Sequence, residues 1–219
     1  MSDGRYLALV GELAPRPNGA GTRRAGAGHA PVDAERLAVA LASLNLEIAG
    51  SLAARFAPAG ASGFQALLHR PGAAVDAVLA LEEELPGLPL RLGLGWGELS
   101  GAPRVTARGA AGPCLDAARR ALARGRDQGR WATAQGWGVR RDKVLNGLLG
   151  LLGALRGGWT ARQAEIVARA RRSSTQKEAA AALAVRPSVV SEALAAAGYR
   201  RTLDGEEALR QLLEIFGEV

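Results

Sequence analysis

The sequence is poor in the residues that build covalent or metal-held scaffolds. Its 219 residues include one cysteine, Cys114, and two histidines, His29 and His69. A single thiol excludes an internal disulfide framework and fits a reducing compartment. Two histidines far apart in the sequence do not indicate a zinc site, and no Ser-His-Asp or Cys-His pairing is evident. We therefore expect no metal, no cofactor and no catalytic residue, with Cys114 a small core side chain.

Long hydrophobic runs are missing too. The best candidate, residues 147–155, is far shorter than the roughly 18 residues that a membrane-spanning helix needs. The charged start of the chain is followed at once by a strand-like run, which is not the pattern of a signal peptide. These absences predict a soluble, cytoplasmic protein without a membrane partner.

Negative charge is scarce relative to positive charge. The formal net charge is +7 and the isoelectric point is about 10.8, which suits an anionic partner. Residues 100–143 contain ten Lys and Arg against three Asp, so this stretch alone carries 10 − 3 = +7. Arginine outnumbers lysine, as phosphate recognition favours. The same bias fits a GC-rich genome, which the heavy use of Ala and Gly also indicates, and both explanations stay open.

The most informative stretch is 160–199, which has the pattern of three short helices closed by tight turns. Thr160 with Gln163, and Thr175 with Glu178, have the spacing of capping boxes, in which two side chains satisfy each other's free backbone donors. Pro187 suits the first position of the third helix, where no backbone donor is needed. Gly198 is typical of a helix end, so the stretch predicts a helix-turn-helix. The predicted inward residues are Ile166, Val167, Ala170, Ala179, Ala182, Leu183, Val190 and Leu194.

The exposed face of the predicted third helix is poor in side chains that read bases. It should carry Ser188, Val189, Ser191, Glu192 and Ala195, and it lacks the Arg, Asn and Gln that pair bidentately with base edges. Positive charge lies around this face and would contact phosphate, which sets position rather than sequence. For each arginine, a solvated side chain without a role is the alternative. The predicted DNA-binding residues are Arg169, Arg171, Arg172, Lys177, Arg186, Ser188, Ser191, Glu192, Arg200 and Arg201.

The rest of the chain alternates between strand-like and helix-like segments. Strands are predicted at 6–10, 64–69 and 90–99, and helices at 33–55, 73–85 and 113–124, while 53–56 either begins a strand or ends the first helix. This order predicts a sheet layered with helices. Residues 15–31 are predicted to form a loop and residues 131–137 a linker. A helix at 142–155 should support the helix-turn-helix. The last helix, 204–216, should cover that small domain or pair with its copy in a dimer.

Several short blocks occur in an order that resembles a known family. They are Tyr6-Leu-Ala-Leu-Val-Gly-Glu12, Gly63-Phe-Gln-Ala-Leu-Leu68, Arg91-Leu-Gly-Leu-Gly-Trp-Gly-Glu98, Gly112-Pro-Cys-Leu-Asp-Ala-Ala-Arg119, Trp159-Thr-Ala-Arg-Gln163, Thr175-Gln-Lys-Glu178 and Ser188-Val-Val-Ser191. In this order they resemble the SatD family over nearly the whole chain. The resemblance implies an α+β protein: a palm-like or ferredoxin-like domain over 1–130, similar to nucleotide and diguanylate cyclases, and an all-α helix-turn-helix domain over 140–219.

The sequence departs from the cyclase pattern at the metal ligands. Where those enzymes have a Gly-Asp-Glu-Phe-like hairpin, Ala61-Ser62-Gly63-Phe64-Gln65 has no acid. Glu12 and Glu98 remain, but two-metal catalysis needs carboxylates converging on ions about 3.5–4 Å apart. The run Gly93-Leu-Gly-Trp-Gly97 lacks the ending of a phosphate-binding loop, so we interpret it as a strand approached closely by another backbone. The resemblance therefore implies a non-catalytic N-terminal domain.

Together these patterns predict a cytoplasmic DNA-binding transcriptional regulator that is not an enzyme. It would bind duplex DNA as a homodimer on two half-sites, and its N-terminal domain would dimerise or sense a ligand. Two alternatives stay open. One is a protein–protein adaptor that uses the neutral third helix and the terminal helix. The other is a nucleotide-binding domain of cyclase-like ancestry, with its ligand near Glu12, Phe64 and residues 93–97.

Overall fold

The structure is a computed structural model that describes residues 4–14, 30–60, 62–85 and 88–218. These residues form one five-stranded sheet and eight α-helices, so the predicted α+β class is confirmed. The strands are β1 (Arg5–Leu13), β2 (Leu52–Ala59), β3 (Gly63–Leu68), β4 (Leu90–Glu98) and β5 (Ala132–Gln135). The helices are α1 (Ala30–Glu47), α2 (Ala73–Glu84), α3 (Pro113–Asp127), α4 (Val139–Gly157), α5 (Ala161–Arg171), α6 (Gln176–Ala182), α7 (Pro187–Ala196) and α8 (Tyr199–Gly217).

The sheet has the strand order β2-β3-β1-β4-β5. Its central strand, β1, runs antiparallel to both neighbours, with Leu9 opposite Ala66 on β3 and Leu94 on β4. β2 is antiparallel to β3, whereas β5 is parallel to β4. Because β1 is buried on both faces, it is apolar throughout its centre instead of alternating between apolar and polar residues.

Helices cover both faces of the sheet. On the first face, α1, α2, α4 and α8 pack over Leu7 and Leu9 and form the larger core. On the opposite face, α3 packs over Ala8 and Val10. Successive strand residues point to opposite faces, so the four consecutive apolar residues of β1 supply both cores.

The glycines of β4 allow α3 to lie directly on the sheet. A Cβ atom at Gly93 would stand 2.1 Å from the carbonyl oxygen of Ala118, and one at Gly95 would stand 2.1 Å from that of Cys114. Both distances are far inside van der Waals contact, so any larger residue would displace the helix. The interpretation of 93–97 as a strand under a close backbone is confirmed. Cys114 is buried against this strand, and burial raises the pKa of its thiol.

The first predicted helix was too long. α1 ends at Glu47, and the chain re-enters the sheet as β2, whose Ala54 and Phe56 point inward. The Asn45 side chain fixes this change of direction: its amide nitrogen donates to the Phe56 carbonyl (3.1 Å) and its oxygen accepts from the Phe56 amide (2.7 Å). The predicted loop at 15–31 lies outside the described residues up to position 29.

The predicted linker at 131–137 was wrong, because it contains β5. Ala132 and Ala134 are buried in the sheet, and the Trp137 ring stacks on that of Trp96 with centroids 6.1 Å apart. Asn146 of α4 holds the strand, since its side chain accepts from the Ala134 amide (2.9 Å) and donates to the Ala134 carbonyl (2.7 Å). This short strand has no recognisable signal in the sequence, because alanine has no preference for strands.

Two further helix predictions are corrected. α4 does not lie under α5, α6 and α7. Its Leu145, Leu149 and Leu152 instead pack into the sheet core beside α8. α8 begins at Tyr199 and not at Asp204, since left-handed Gly198 (φ 63°) ends α7 and starts α8 at once. Within the described residues, no single helix has both the length and the apolar character of a membrane span.

Candidate nucleic-acid interface

Helices α5, α6 and α7 enclose a small core of their own, and we call them the trihelical unit. Its centre is formed by Ile166, Val167, Ala179, Ala180, Val190, Leu194 and Ala197. The predicted inward set is confirmed with one exception. Ala182 is exposed and Ala180 is buried in its place. The inward face of α6 is therefore rotated about the helix axis relative to the face that the apolar pattern indicated.

The predicted caps hold the first two helices of the unit. At α5 the capping box is complete: the Thr160 hydroxyl accepts from the Gln163 amide (3.2 Å), and the Gln163 side chain accepts from the Thr160 amide (2.8 Å). At α6 the Thr175 hydroxyl accepts from the Glu178 amide (3.1 Å), but the Glu178 carboxylate accepts from the Ser174 amide (2.8 Å). The Glu178 carboxylate therefore binds the amide of the residue before the N-cap, and not the amide of the N-cap residue Thr175 as in a complete capping box.

A tight turn sets the angle between α6 and α7. The two helices are bent by 109°. Ala184 in this turn has a left-handed backbone (φ 52°), which is uncommon for a residue with a side chain. The Val185 amide donates to the Ala180 carbonyl (3.0 Å) and closes the C-terminal end of α6. Trp159 fixes the other side of the unit, since its indole nitrogen donates to the Ala197 carbonyl (2.7 Å).

The outer face of α7 is open to solvent. Ser188, Ser191, Glu192 and Ala195 are exposed, and Val189 is half-buried. This is the face predicted from the sequence, and no helix of the described residues covers it. A partner with a groove of helix width therefore has access to two hydroxyls and one carboxylate on one side of α7.

Five of the predicted cations are free charges on α5, on α6, just before α7 and at the start of α8. Arg169, Lys177, Arg186, Arg200 and Arg201 are all exposed. Within the described part of the chain, none of them makes an ion pair with a carboxylate. Arg186 precedes the first residue of α7, and Lys177 lies in the first turn of α6. The positive charge of these side chains is thus available to an external anion.

The other two predicted cations, Arg171 and Arg172, are occupied. The Arg171 side chain is only 11% exposed and donates to both carboxylate oxygens of Glu206 on α8, at 2.7 and 2.9 Å. Arg172 donates to Glu83 (3.0 Å) and Glu84 (3.2 Å) at the end of α2. Neither guanidinium is free to contact phosphate in this arrangement, and both instead join the trihelical unit to the rest of the molecule.

A buried ion-pair network at this junction had no signal in the sequence. Arg156 of α4 pairs with Glu82 of α2 and with Glu206 (Nη1 to Oε1, 3.5 Å). Its guanidinium lies over the Trp131 ring, 4.5 Å from the centroid. Burial lowers the pKa of Arg156 to about 10, so the side chain stays protonated at neutral pH. We call Glu82, Arg156, Arg171 and Glu206 the junction network. Its members come from four helices that are distant in sequence.

The acidic residues that remain on the sheet do not converge. Glu12 lies beside Arg91 on β4, whereas Glu98 lies opposite Arg5, seven residues away along β1. At about 3.3 Å per residue the two carboxylates are separated by roughly 23 Å. Glu12 accepts from Arg126 (3.1 Å), and this hydrogen bond is the main cause of its lowered pKa. The described residues contain no group of three potential metal ligands.

The residues that were considered as a nucleotide-binding site are covered by other parts of the protein. Phe64 is fully buried, and α3 covers Gly93 and Gly95. Gln65 beside them is also buried: its amide nitrogen donates to the Ala107 carbonyl (2.5 Å) and its oxygen accepts from Arg119 (3.3 Å). Both faces of the sheet therefore offer packing contacts and no open cleft at these residues.

Comparison with known proteins adds no relative to this description. No family model matches the sequence, and no curated protein is significantly similar to it.

Proposed function

We propose that this protein is a DNA-binding transcriptional regulator that contacts duplex DNA through a helix-turn-helix made of α5, α6 and α7. The observation that carries the proposal is the open polar face of α7 on a unit with its own core, together with five exposed, unpaired cations on that unit and at the start of α8. The 109° bend between α6 and α7 lies within the roughly 90–120° that is typical of the helix-turn-helix motif.

In the proposed complex, α7 lies in the major groove with its N-terminal residues nearest the bases. Ser188 and Ser191 can bond to several base edges, and Glu192 can accept from a cytosine amino group. Lys177, Arg186 and the neighbouring cations contact phosphates and fix the position of the unit. Because no Arg, Asn or Gln lies on this face of α7, we expect only modest discrimination between sequences.

The N-terminal part fits the same proposal as a scaffold without catalysis. The order β1-α1-β2-β3-α2-β4, with β1 at the centre of the sheet, is the connectivity of the split βαβ arrangement found in ferredoxin-like domains. It supports the palm-like sheet that the resemblance to the SatD family implies. The separation of Glu12 from Glu98 supports the loss of two-metal chemistry. We propose that this part, in the cytoplasm, positions the trihelical unit.

Fluorescence anisotropy of the full chain with a labelled duplex, measured over a salt series, tests the proposal. The logarithm of the binding constant should fall linearly with the logarithm of salt concentration, because each neutralised phosphate releases counterions. Changing either Arg186→Glu or Lys177→Glu should weaken binding several-fold and reduce the slope by about 1, as expected for the loss of one phosphate contact. The matched control is Arg120→Glu on α3, an exposed arginine remote from α7.

Two results would overturn the proposal. One is the absence of duplex binding even at low salt, where phosphate contacts are strongest. The other is an equal loss in the Arg120→Glu control, which would show that binding follows net charge and not the trihelical unit.

A further inference from the structure

Helix α4 carries a second apolar stripe that the rest of the molecule covers only in part: its Leu148 packs against the larger core, and its other members are more exposed. Leu145, Leu149 and Leu152 point into the core. Val144, Leu148, Leu151 and Leu155 occupy another face of the helix, where Val144 is 49% exposed, Leu151 67% and Leu155 36%. Leu148 is only partly buried. A helix that is apolar on two faces is normally covered on both, and we call this open face the α4 stripe.

The spacing of the α4 stripe makes it complementary to itself. Its four members are separated by four, three and four residues, which is the spacing of paired positions in a coiled coil. This pattern is the same when read backwards. In an antiparallel pair, Val144 of one copy lies opposite Leu155 of the other, and Leu148 lies opposite Leu151. Such a contact is isologous, as a twofold dimer requires.

Charge selects the same orientation. The N-terminal end of α4 carries exposed Arg140 and Lys143, and its Asp142 carboxylate is already occupied by the amides of Gly136 (3.2 Å) and Trp137 (3.0 Å). A parallel pair would bring these cations of both copies together. An antiparallel pair sets them beside the C-terminal end of the other α4, where the helix dipole is partly negative. The one basic residue of that end, Arg156, is already paired with Glu82 and Glu206.

The backbone beside the α4 stripe leaves room for a close partner. Gly147 precedes Leu148, and a Cβ atom built there would meet nothing within 4 Å. Small residues at a contact let two helix axes come nearer. Exposed Ala154, one residue before Leu155, has the same effect at the other end of the stripe.

We propose that two copies of this protein associate through antiparallel pairing of their α4 stripes. The stripe covers eleven residue steps, about 17 Å of helix, so the contact is smaller than a standard interface of about 1,600 Å². We therefore expect a dissociation constant in the micromolar range. The self-association needs no DNA, whereas its use on two half-sites rests on the proposed function.

Sedimentation velocity of the full chain from about 1 to about 100 μM measures the association. The wild type should shift from monomer to dimer, and Leu151→Glu should remain monomeric because a carboxylate would be buried at the contact. The matched control is Leu46→Glu on α1, an equally apolar residue that is 81% exposed. It should dimerise as the wild type does. Circular dichroism should show both variants folded, since each position faces solvent, and Val144→Glu should repeat the Leu151→Glu result.

Disulfide trapping tests the orientation, with native Cys114 fully buried. The double variant Val144→Cys/Leu155→Cys should form a covalent dimer under mild oxidation, while each single variant should not, because only unlike positions meet in an antiparallel pair. A wild type that stays monomeric at all concentrations, or a dimer that Leu151→Glu leaves intact, would overturn the proposal. Trapping of the single variants would refute the antiparallel arrangement. All of these measurements are made without DNA. Their expected results therefore stay the same even if the protein does not bind duplex DNA.

Discussion

Glu206 is a carboxylate placed almost entirely out of water, with 3% of its surface exposed. Burying a charge is costly unless it is paired and hydrogen-bonded, and Glu206 accepts two hydrogen bonds from Arg171 and pairs with Arg156. Arg171 and Arg156 would repel each other without it. The residue therefore offsets two buried positive charges at once, which explains why an acidic side chain lies on the inner face of α8.

Replacing Glu206 by alanine should lower the free energy of unfolding by about 3 kcal/mol, because removing one partner leaves uncompensated buried charge. Urea denaturation at neutral pH followed by circular dichroism measures the change. The control is Glu207→Ala, the adjacent but exposed carboxylate that pairs with Arg210, for which we expect a much smaller loss because water screens an exposed ion pair. Equal losses in the two variants would contradict the role given to the junction network.

At the scale of elements, the turn between α6 and α7 carries a local strain. Ala184 has a left-handed backbone, which costs a residue with a Cβ atom roughly 1–2 kcal/mol. Glycine adopts this conformation freely but loses more entropy on folding, by about 0.5–1 kcal/mol. The difference between the two effects favours glycine at this one position of the trihelical unit.

We expect Ala184→Gly to raise the free energy of unfolding by about 0.5 kcal/mol, seen as a higher midpoint of thermal unfolding. The control is Ala181→Gly, three residues earlier and exposed inside α6. There the same change should destabilise by about 1 kcal/mol, since the residue is helical. A lower midpoint for Ala184→Gly would mean that the turn relaxes in solution to a conformation other than this one.

The elements that the sequence predicted well are those with local signals. Thr160 and Thr175 mark the starts of α5 and α6 because capping acts within three residues, and Gly198 marks the end of α7. β5 was missed because Ala132 and Ala134 carry no strand preference, and only its pairing with β4 makes it a strand. The Arg171–Glu206 pair is separated by 35 residues, and no local pattern could have shown that Arg171 is occupied while Arg169 is free.

At the scale of the whole molecule, contacts made by α5 and by the following helix α8 join the trihelical unit to the rest of the protein. The junction network links α2, α4, α5 and α8, Arg172 links α5 to the end of α2, and Leu209 and Leu213 of α8 pack into the sheet core. Arg210 adds an ion pair to Asp76 on α2 (2.6 Å). Because these contacts tie α5 and α8 to α2 and α4, we expect the chain to unfold as one cooperative body.

Thermal unfolding should accordingly be a single transition. Far-ultraviolet circular dichroism, which is dominated by the helices, and the fluorescence of the four tryptophans should change with the same midpoint. Three of them, Trp96, Trp131 and Trp137, pack in or against the sheet core, and Trp159 packs against the core of the trihelical unit. The double variant Glu82→Gln/Glu206→Gln should separate the two curves, with the helical signal lost first. Two separate transitions in the wild type would show that the trihelical unit unfolds by itself.

Gly198 has a consequence for how the molecule transmits movement. Only Ala197 and Gly198 separate the last residue of α7 from the first residue of α8. The helix with the open polar face and the helix held in the sheet core are therefore coupled without an intervening flexible segment. Any rotation of α8 about its axis, whatever causes it at α2 or at α4, must turn the serines of α7 through a related angle.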